Sequence, residues 1–228
     1  MRQCNISRRG FTLAELLVAI LILSVLAALL VPMIGKALER GRQAGCVANL
    51  RQIGTAFALL LNDNGGRFPA FASDSGDPGV WYEKLRPYLG VDPLAAISVT
   101  KPKVLKCPAN QTHEWSFNKL SYAYNIYLGD NDGRAGQDTD GAWVRVRRAA
   151  IVRPAEVILC ADGDSREETY NSYLDYKWRA PGVIHHGGAN ILYVDGHVAW
   201  HLRSDVTGEA WTEELMKMYG AFGRYGDR

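Results

Sequence analysis

The sequence predicts an α+β protein in which one long N-terminal helix packs against a small antiparallel sheet. Three observations support this fold class. An uncharged apolar run extends from Leu16 to Ile34, and an amphipathic stripe with helical spacing follows it. Near the C-terminus, two strand-like runs are joined by Asp195 and Gly196, which is typical of a β-hairpin.

The N-terminal segment is the most distinctive part of the chain. A basic leader ends in Gly10, Phe11 begins the apolar segment, and a single carboxylate, Glu15, lies within it. The uncharged run is long enough for an α-helix to cross the hydrocarbon core of a bilayer. A carboxylate at mid-membrane costs about 2–3 kcal/mol or more, and less near an interface, so Glu15 is expected to have a partner.

Two simpler interpretations of this segment explain less of it. An ordinary secretory signal has a shorter apolar core and a small-residue cleavage site after that core. A plain signal anchor explains the arginines before the run by the positive-inside rule. Neither explains the junction between Gly10 and Phe11 or the position of Glu15.

These residues together resemble the class III signal of type IV pilins and type II secretion pseudopilins. The resemblance implies that a prepilin peptidase cuts after Gly10 and that the new terminus, Phe11, is N-methylated. It implies that Glu15 pairs with the α-amino group of a neighbouring subunit during filament assembly, since the two charges are tolerable in lipid only together. The implied partners are the prepilin peptidase/methyltransferase, other pilin subunits including copies of this chain, and a secretion or pilus assembly platform.

The helix is expected to continue beyond the membrane segment. Pro32 interrupts the apolar run, but membrane helices tolerate proline. Beyond it, one apolar stripe with helical spacing comprises Cys46, Leu50, Ile53, Phe57 and Leu60. The predicted organisation is a leader at 1–10, a transmembrane helix at 11–34, its amphipathic continuation at 35–62 and a globular domain at 63–228.

Shorter elements are predicted within the globular domain. They are a helix at 81–89 broken by Pro87, strands at 121–127, 144–151 and 156–161, a hairpin of strands 189–194 and 197–202, and a last helix at 212–219. The dipeptide Asp195-Gly196 predicts a type I′ turn in the hairpin. With the long helix, these elements are similar to the pilin and pseudopilin fold.

The cysteines predict one disulfide and one free thiol in the exported domain. Cys4 would leave with the leader, and the other three would face an oxidising compartment. Spacing alone does not assign the pair. Cys46 with Cys107 is preferred because Cys107 precedes a proline in an apparent loop, whereas Cys160 lies in an apolar strand.

The charge balance gives no reason to expect a nucleic-acid partner. The formal net charge is +2, and the leader contributes arginines but no acid. Removal of the leader therefore leaves a nearly neutral domain, which is unlike the basic surface of a nucleic-acid-binding protein.

A second resemblance lies towards the C-terminus. His185 and the Asp195-Gly196 pair fit the His-x9-Asp-Gly pattern of a bacterial family of prepilin-processed, pseudopilin-like proteins. The segments 49–54 and 106–108 also resemble that family. The function of that family is poorly defined, so the motif implies a relation to the family but no mechanism.

The histidines near this motif raise the question of catalysis. His185, His186, His197 and His201 lie close in sequence to Asp195, and we considered Asp162 and Asp164 as spatial neighbours. Histidines and carboxylates serve as metal ligands and acid–base groups. However, Asp-Gly is a turn signal, and the sequence contains no zinc-protease motif, nucleophile elbow or P-loop. The interpretation is therefore a structural hairpin, and the protein is not expected to be an enzyme.

An acidic loop offers a calcium hypothesis. It contains Asp130, Asp132, Asp138 and Asp140 with nearby glycines, and calcium is bound by six to eight oxygens. Major pseudopilins have a calcium-stabilised loop, and the resemblance implies that the acidic loop of this chain binds calcium in the same way. The alternative is a solvated acidic loop without an ion, since the spacing of an EF-hand is not met.

The favoured function is that of a filament subunit, held by one helix in the cytoplasmic membrane with its globular domain in the periplasm or outside the cell. Pilus and pseudopilus remain open alternatives. The alternative function is a membrane-anchored periplasmic binding module that is not assembled into a filament. The tryptophans that could line its binding site are Trp81, Trp115, Trp143, Trp200 and Trp211.

Overall fold

The computed structural model describes residues 12–69, 81–91, 102–110, 120–129, 146–163, 173–174 and 181–206. The chain divides into two units, Met1–Gly41 and Arg42–Arg228. Gly10, Phe11, the acidic loop and the predicted last helix lie outside the described residues.

Helix α1 is the longest element and spans Leu13–Asp63. It passes through Pro32. At its end, the Gly66 N–H donates a hydrogen bond to the Leu61 carbonyl at 2.6 Å, and Gly66 has a φ of +76°. A glycine in this conformation satisfies carbonyl groups that the last helical turn leaves open, so Gly66 closes the C-terminal end of α1.

The second unit contains several short elements after α1. They are helix α2 at Trp81–Leu85, a 3-10 helix at Arg86–Leu89, a 3-10 helix at Lys103–Leu105, strand β1 at Tyr122–Asn125, helix α3 at Ile126–Gly129, a 3-10 helix at Arg148–Ala150, strand β2 at Ile158–Asp162, strand β3 at Tyr173–Leu174, strand β4 at Gly188–Tyr193, strand β5 at Val198–Leu202 and helix α4 at Arg203–Val206. The helix predicted at 81–89 is thus present, and it changes to a 3-10 helix next to Pro87.

The strands form one sheet in the order β3-β1-β2-β4-β5. Four of them pair antiparallel, with β2 between β1 and β4, and β5 at one edge. The two-residue strand β3 pairs with β1 in the parallel direction. The predicted antiparallel sheet is therefore confirmed. Strand β3 was not predicted, because its two-residue segment is too short to show a strand pattern.

The helix stripe predicted from the sequence forms the contact between α1 and the sheet. Its five members are all buried: Cys46, Leu50, Ile53, Phe57 and Leu60. Within this core, the Phe57 ring stacks on Tyr124 with 5.4 Å between ring centroids and on Trp81 with 6.0 Å. Aromatic burial of this size dominates core energetics.

Close packing of the helix on the sheet depends on a small residue in α1. A Cβ atom on Gly54 would lie 3.1 Å from Cδ1 of Leu192 in β4. The opposite face of the sheet is covered by a second buried cluster that includes Ile158, Ile191, Tyr193 and Val206. Strands β1, β2 and β4 are consequently buried along their whole length.

Two strand predictions were wrong in extent. Strand β1 stops at Asn125 because the Asn125 side chain accepts a hydrogen bond from the Tyr127 N–H at 3.1 Å, which turns the chain into α3. The strand expected at 144–151 is, in its described part, one bridge between Arg67 and Arg147 followed by a 3-10 helix. This segment pairs with the chain leaving α1, where the Phe68 N–H donates to the Val146 carbonyl at 3.1 Å.

The hairpin of β4 and β5 is present, but its predicted type I′ turn is wrong. A type I′ turn needs two central residues with positive φ, and of Asp195 and Gly196 only Gly196 has one, at +98°. Val194 joins them in a three-residue connection closed by a 3.0 Å bond from the Tyr193 N–H to the His197 carbonyl. The added residue is drawn inward, since Val194 is buried and its N–H donates to the Val157 carbonyl at 3.0 Å.

Candidate functional site

The described start of α1 closes on itself through a reciprocal cap. The Glu15 Oε2 atom accepts hydrogen bonds from the Thr12 N–H at 2.9 Å and the Thr12 hydroxyl at 2.8 Å. The Glu15 N–H donates in turn to the Thr12 hydroxyl oxygen at 3.3 Å. This is a capping box, in which each side chain satisfies a backbone N–H that the first helical turn leaves open. Glu15 therefore has a local partner in the single chain.

In the part of the chain that the structure describes, the apolar residues of α1 within the first unit are exposed. Exposed residues include Leu16, Leu23, Leu30 and Ile34. By length and composition this helix can cross a membrane, and no residue of its most apolar window is buried. A core helix of a soluble protein passes the same length test but is mostly buried, so the exposure separates the two cases.

The second unit contains a disulfide at the base of the helix stripe. Cys46, in α1, is bonded to Cys107, with 5.2 Å between their Cα atoms and a sequence separation of 61. Both residues are completely buried. Cys160 is a free, buried thiol in β2, and burial raises its pKa above the usual value. This disulfide joins the two cysteines that the sequence favours as a pair.

A buried histidine and a buried carboxylate lie beside this disulfide. The His185 Nε2 atom is 3.4 Å from the Cys107 Sγ atom and 3.6 Å from the Asp162 Oδ2 atom. The Asp162 Oδ2 atom also accepts hydrogen bonds from the Asn190 N–H at 2.7 Å and the Asn190 side-chain amide at 3.0 Å. The ligand atoms of Cys46, Cys107, Asp162 and His185 all lie within 4.8 Å of one another. We call these four residues the buried polar cluster.

Burial controls the protonation of Asp162. Removal from water raises the pKa of its carboxyl to about 7, although the two hydrogen bonds from Asn190 oppose the shift by stabilising the charged form. The Oδ1 atom of Asp162 has no hydrogen-bond partner among the described residues. A charged carboxylate that is buried and lacks a partner for one oxygen costs folding free energy unless a positive group or a proton compensates its charge.

A tight turn positions His185. The His185 N–H donates to the Gly188 carbonyl at 3.1 Å, and the Gly188 N–H donates back to the His185 carbonyl at 2.9 Å. The two residues between them, His186 and Gly187, have φ values of +51° and +80°, as the centre of a type I′ turn requires. The Trp200 indole N–H also donates to the His185 carbonyl at 2.9 Å. These backbone bonds direct the imidazole towards the interior.

The remaining hairpin histidines belong to a different site. The His197 Nδ1–H donates to the Asp195 Oδ1 atom at 2.7 Å, and the His197 ring stacks on Tyr193 with 4.3 Å between centroids. The Tyr193 hydroxyl lies 2.9 Å from the His201 Nε2 atom. Tyr193 belongs to the cluster on the opposite sheet face, because side chains alternate along β4.

The structure therefore places the histidine and the aspartate of the His-x9-Asp-Gly motif in two separate sites. His185 has Asp162 as its carboxylate neighbour, whereas Asp195 bonds His197 in the hairpin turn. Asp164 lies outside the described residues. His185 and Asp162 are both completely buried.

Residues 6–31 match the family model described as "Prokaryotic N-terminal methylation motif". The chain carries a type IV pilin-like processing signal. This signal, together with the exposed apolar helix that contains most of it, fits anchoring in a membrane. No curated protein and no solved structure matches the chain.

Two features of these sites were not identified from the sequence. The Thr-x-x-Glu spacing of Thr12 and Glu15 is a capping-box signal, but only an intermolecular role of Glu15 was predicted from the sequence. The link between Asp162 and Asn190 has no local signal, because these residues meet only where β2 pairs with β4.

Proposed function

We propose that this protein is a structural subunit of a type IV pilus-like or type II secretion pseudopilus filament. The observation that carries the proposal is the methylation motif at residues 6–31, at the start of a helix whose apolar surface the chain leaves exposed. Such a surface is buried either by lipid or by equivalent helices of neighbouring subunits. A membrane reservoir and a filament core would supply these two environments in turn.

In this proposal, a prepilin peptidase cuts after Gly10 and the Phe11 amine is methylated. The resulting ammonium is the partner for Glu15 of the adjacent subunit. The capping box supports a two-stage use of Glu15, since Thr12 holds the carboxylate with two hydrogen bonds in the single chain. Exchange of the Thr12 bonds for an ammonium would occur only on assembly.

The processing step is tested by mass spectrometry of the mature protein. We expect an N-terminus at methylated Phe11 in the native host, and accumulation of the uncut precursor for Gly10→Ala. A wild-type protein that retains its leader in a host with an active prepilin peptidase would contradict the proposal.

The assembly step is tested with a matched pair of variants. Glu15→Gln keeps an amide oxygen for the cap but loses the charge, whereas Thr12→Val keeps the charge but loses the hydroxyl. Loss of one partner from a buried ion pair costs about 3–5 kcal/mol, so Glu15→Gln should lower filament incorporation by more than about a hundredfold. Thr12→Val should cost only about 1 kcal/mol of helix stability and assemble nearly normally.

The opposite result, with Thr12→Val impaired and Glu15→Gln normal, would leave Glu15 a capping role only and contradict subunit docking. Immunoblots of sheared or cross-linked filaments, normalised to membrane-bound protein, measure both variants under the same conditions.

The second candidate is a membrane-anchored periplasmic binding module. Trp200 favours it because this residue is 40% exposed, whereas Trp81 is buried in the core and cannot line a surface site. Trp115, Trp143 and Trp211 lie outside the described residues. A photo-crosslinker at Leu26, which is half exposed on α1, separates the two functions. A ladder of self-adducts supports the filament, and one foreign adduct supports the module.

A further inference from the structure

The buried polar cluster has the composition of a metal site as well as of a disulfide. Its members come from four separate parts of the second unit: Cys46 from α1, Cys107 from the segment at 102–110, Asp162 from the end of β2 and His185 from the turn before β4. All four are completely buried. Thiolate, imidazole and carboxylate are the groups that bind zinc in proteins.

Two of the distances between ligand atoms in the cluster match a tetrahedral arrangement. With metal–ligand bonds of about 2.0–2.3 Å, neighbouring ligand atoms of tetrahedral zinc lie about 3.4–3.8 Å apart. The His185 Nε2 atom is 3.4 Å from the Cys107 sulfur and 3.6 Å from the Asp162 Oδ2 atom. The two sulfur atoms are closer, because they are bonded to each other. Reduction would let them separate to the distance that zinc requires.

Charge and hydrogen bonding also fit a divalent cation. Two thiolates and the Asp162 carboxylate would place three negative charges around the ion, with His185 as a neutral ligand. The Asn190 side chain and N–H already hold the Asp162 Oδ2 atom, in the way that outer-sphere groups orient metal ligands. The Asp162 Oδ1 atom has no hydrogen-bond partner among the described residues, so the carboxylate keeps an acceptor that a cation could satisfy.

We propose that the reduced form of this protein binds one zinc ion through Cys46, Cys107, Asp162 and His185, and that the zinc ion and the Cys46–Cys107 disulfide are alternative cross-links at the same place. The site is closed on all sides, as in structural zinc sites, and leaves no open position for a substrate. The proposal is independent of filament assembly, because it concerns only the interior of the second unit.

The two states interconvert by balanced chemistry. Zinc binding to the reduced chain deprotonates both thiols, and the Asp162 carboxyl where it is protonated, and releases those protons to solvent. Oxidation by a disulfide-containing oxidant takes two electrons from the two thiolates, forms the Cys46–Cys107 bond, converts the oxidant into two thiolates and releases Zn²⁺. Reduction of the disulfide by a dithiol reverses the electron transfer and restores the ligands.

The direct test uses the full chain in detergent micelles, reduced with a phosphine and freed of metal. We expect one Zn²⁺ per chain by elemental analysis, and Co²⁺ should give a tetrahedral visible spectrum with a sulfur-to-cobalt charge-transfer band. The oxidised chain should bind neither ion at this site. Asp162→Asn and His185→Gln should each weaken zinc binding by about a hundredfold.

The hairpin offers a matched control, since His197→Gln alters the exposed histidine–aspartate pair and should leave binding unchanged. Cys160→Ser should likewise leave it unchanged, because Cys160 is outside the cluster. A reduced wild-type chain that binds no zinc, or equal zinc binding by Cys46→Ala/Cys107→Ala, would overturn the proposal.

A second measurement needs only the wild-type chain and so remains decisive if a variant fails to fold. Addition of oxidised glutathione to the zinc-loaded chain should release one Zn²⁺ for each disulfide formed, detected with a chromogenic chelator. Zinc should slow formation of the disulfide by tenfold or more. Disulfide formation at the same rate with and without zinc would show that the ion does not occupy the two sulfurs.

Discussion

Reduction of the Cys46–Cys107 disulfide should lower the free energy of unfolding by about 4 kcal/mol when no metal is present. The bond closes a loop with a sequence separation of 61. In the chain-entropy treatment, a loop of this length removes about 14 cal/mol/K from the unfolded chain, which is about 4 kcal/mol at 25 °C. The folded state should change little, because the two freed thiols would remain in a completely buried position and behave as small apolar groups.

The assay is denaturant unfolding of the full chain in detergent micelles, with a phosphine reductant and a metal chelator present. Near-ultraviolet circular dichroism is a suitable signal because Trp81, Tyr122 and Tyr124 are fully buried in the core of the second unit. The Cys46→Ala/Cys107→Ala variant is the control, since the reductant should not change its stability. Cys160 is already a free thiol and should not respond.

A loss below about 1 kcal/mol in the wild type would refute the entropic argument, because it would mean that the loop is already closed by residual structure in the unfolded chain. An equal loss in the double variant would show that the reductant acts elsewhere. Replacement of the chelator by zinc should restore stability to the reduced wild type but not to the double variant, which connects this experiment to the proposed metal site.

Three further predictions concern other parts of the second unit. Gly188→Ala should destabilise the protein by about 3 kcal/mol in denaturant unfolding, because its Cβ atom would collide with the His201 carbonyl and lie 2.8 Å from the Trp200 ring; a loss below about 0.5 kcal/mol would contradict this packing. Asp195→Asn should lower the free energy of unfolding at neutral pH by less than about 1 kcal/mol, and this difference should vanish in acid. Partial burial raises the pKa of Asp195, but the hydrogen bonds from His197 outweigh this effect and hold the pKa below its usual value. The stabilising contribution of Asp195 is therefore present above the unfolded pKa of about 3.9 and is lost as pH falls through the folded pKa. Calcium at millimolar concentration should raise the melting temperature if the acidic loop binds it, and an unchanged melting temperature would favour the solvated loop.

Several parts of the fold followed from local sequence patterns. The apolar stripe from Cys46 to Leu60 is buried as its helical spacing predicted, because a stripe on one face of a helix has only one direction in which to pack. The processing signal and the helix beginning at Trp81 were also predicted. Each depends on residues that are close together in the chain.

The errors occurred where a distant contact altered a local preference. The Asp195-Gly196 dipeptide favours a two-residue turn, but Val194 is drawn into the core by its bond to Val157, and the connection lengthens by one residue. The true type I′ geometry lies at His186 and Gly187, which a sequence pattern does not single out.

The sequence by itself determined where the helix lies, which of its faces is apolar and how its N-terminus is marked for processing, because these properties depend on neighbours within a few turns of helix. Only the tertiary structure decided that His185 meets Asp162 and the disulfide rather than Asp195. The reason is strand register: side chains alternate between sheet faces, so a shift of one residue in β2 would move Asp162 to the opposite face and dissolve the cluster. That register is set by the pairing of β1, β2 and β4 across the whole second unit.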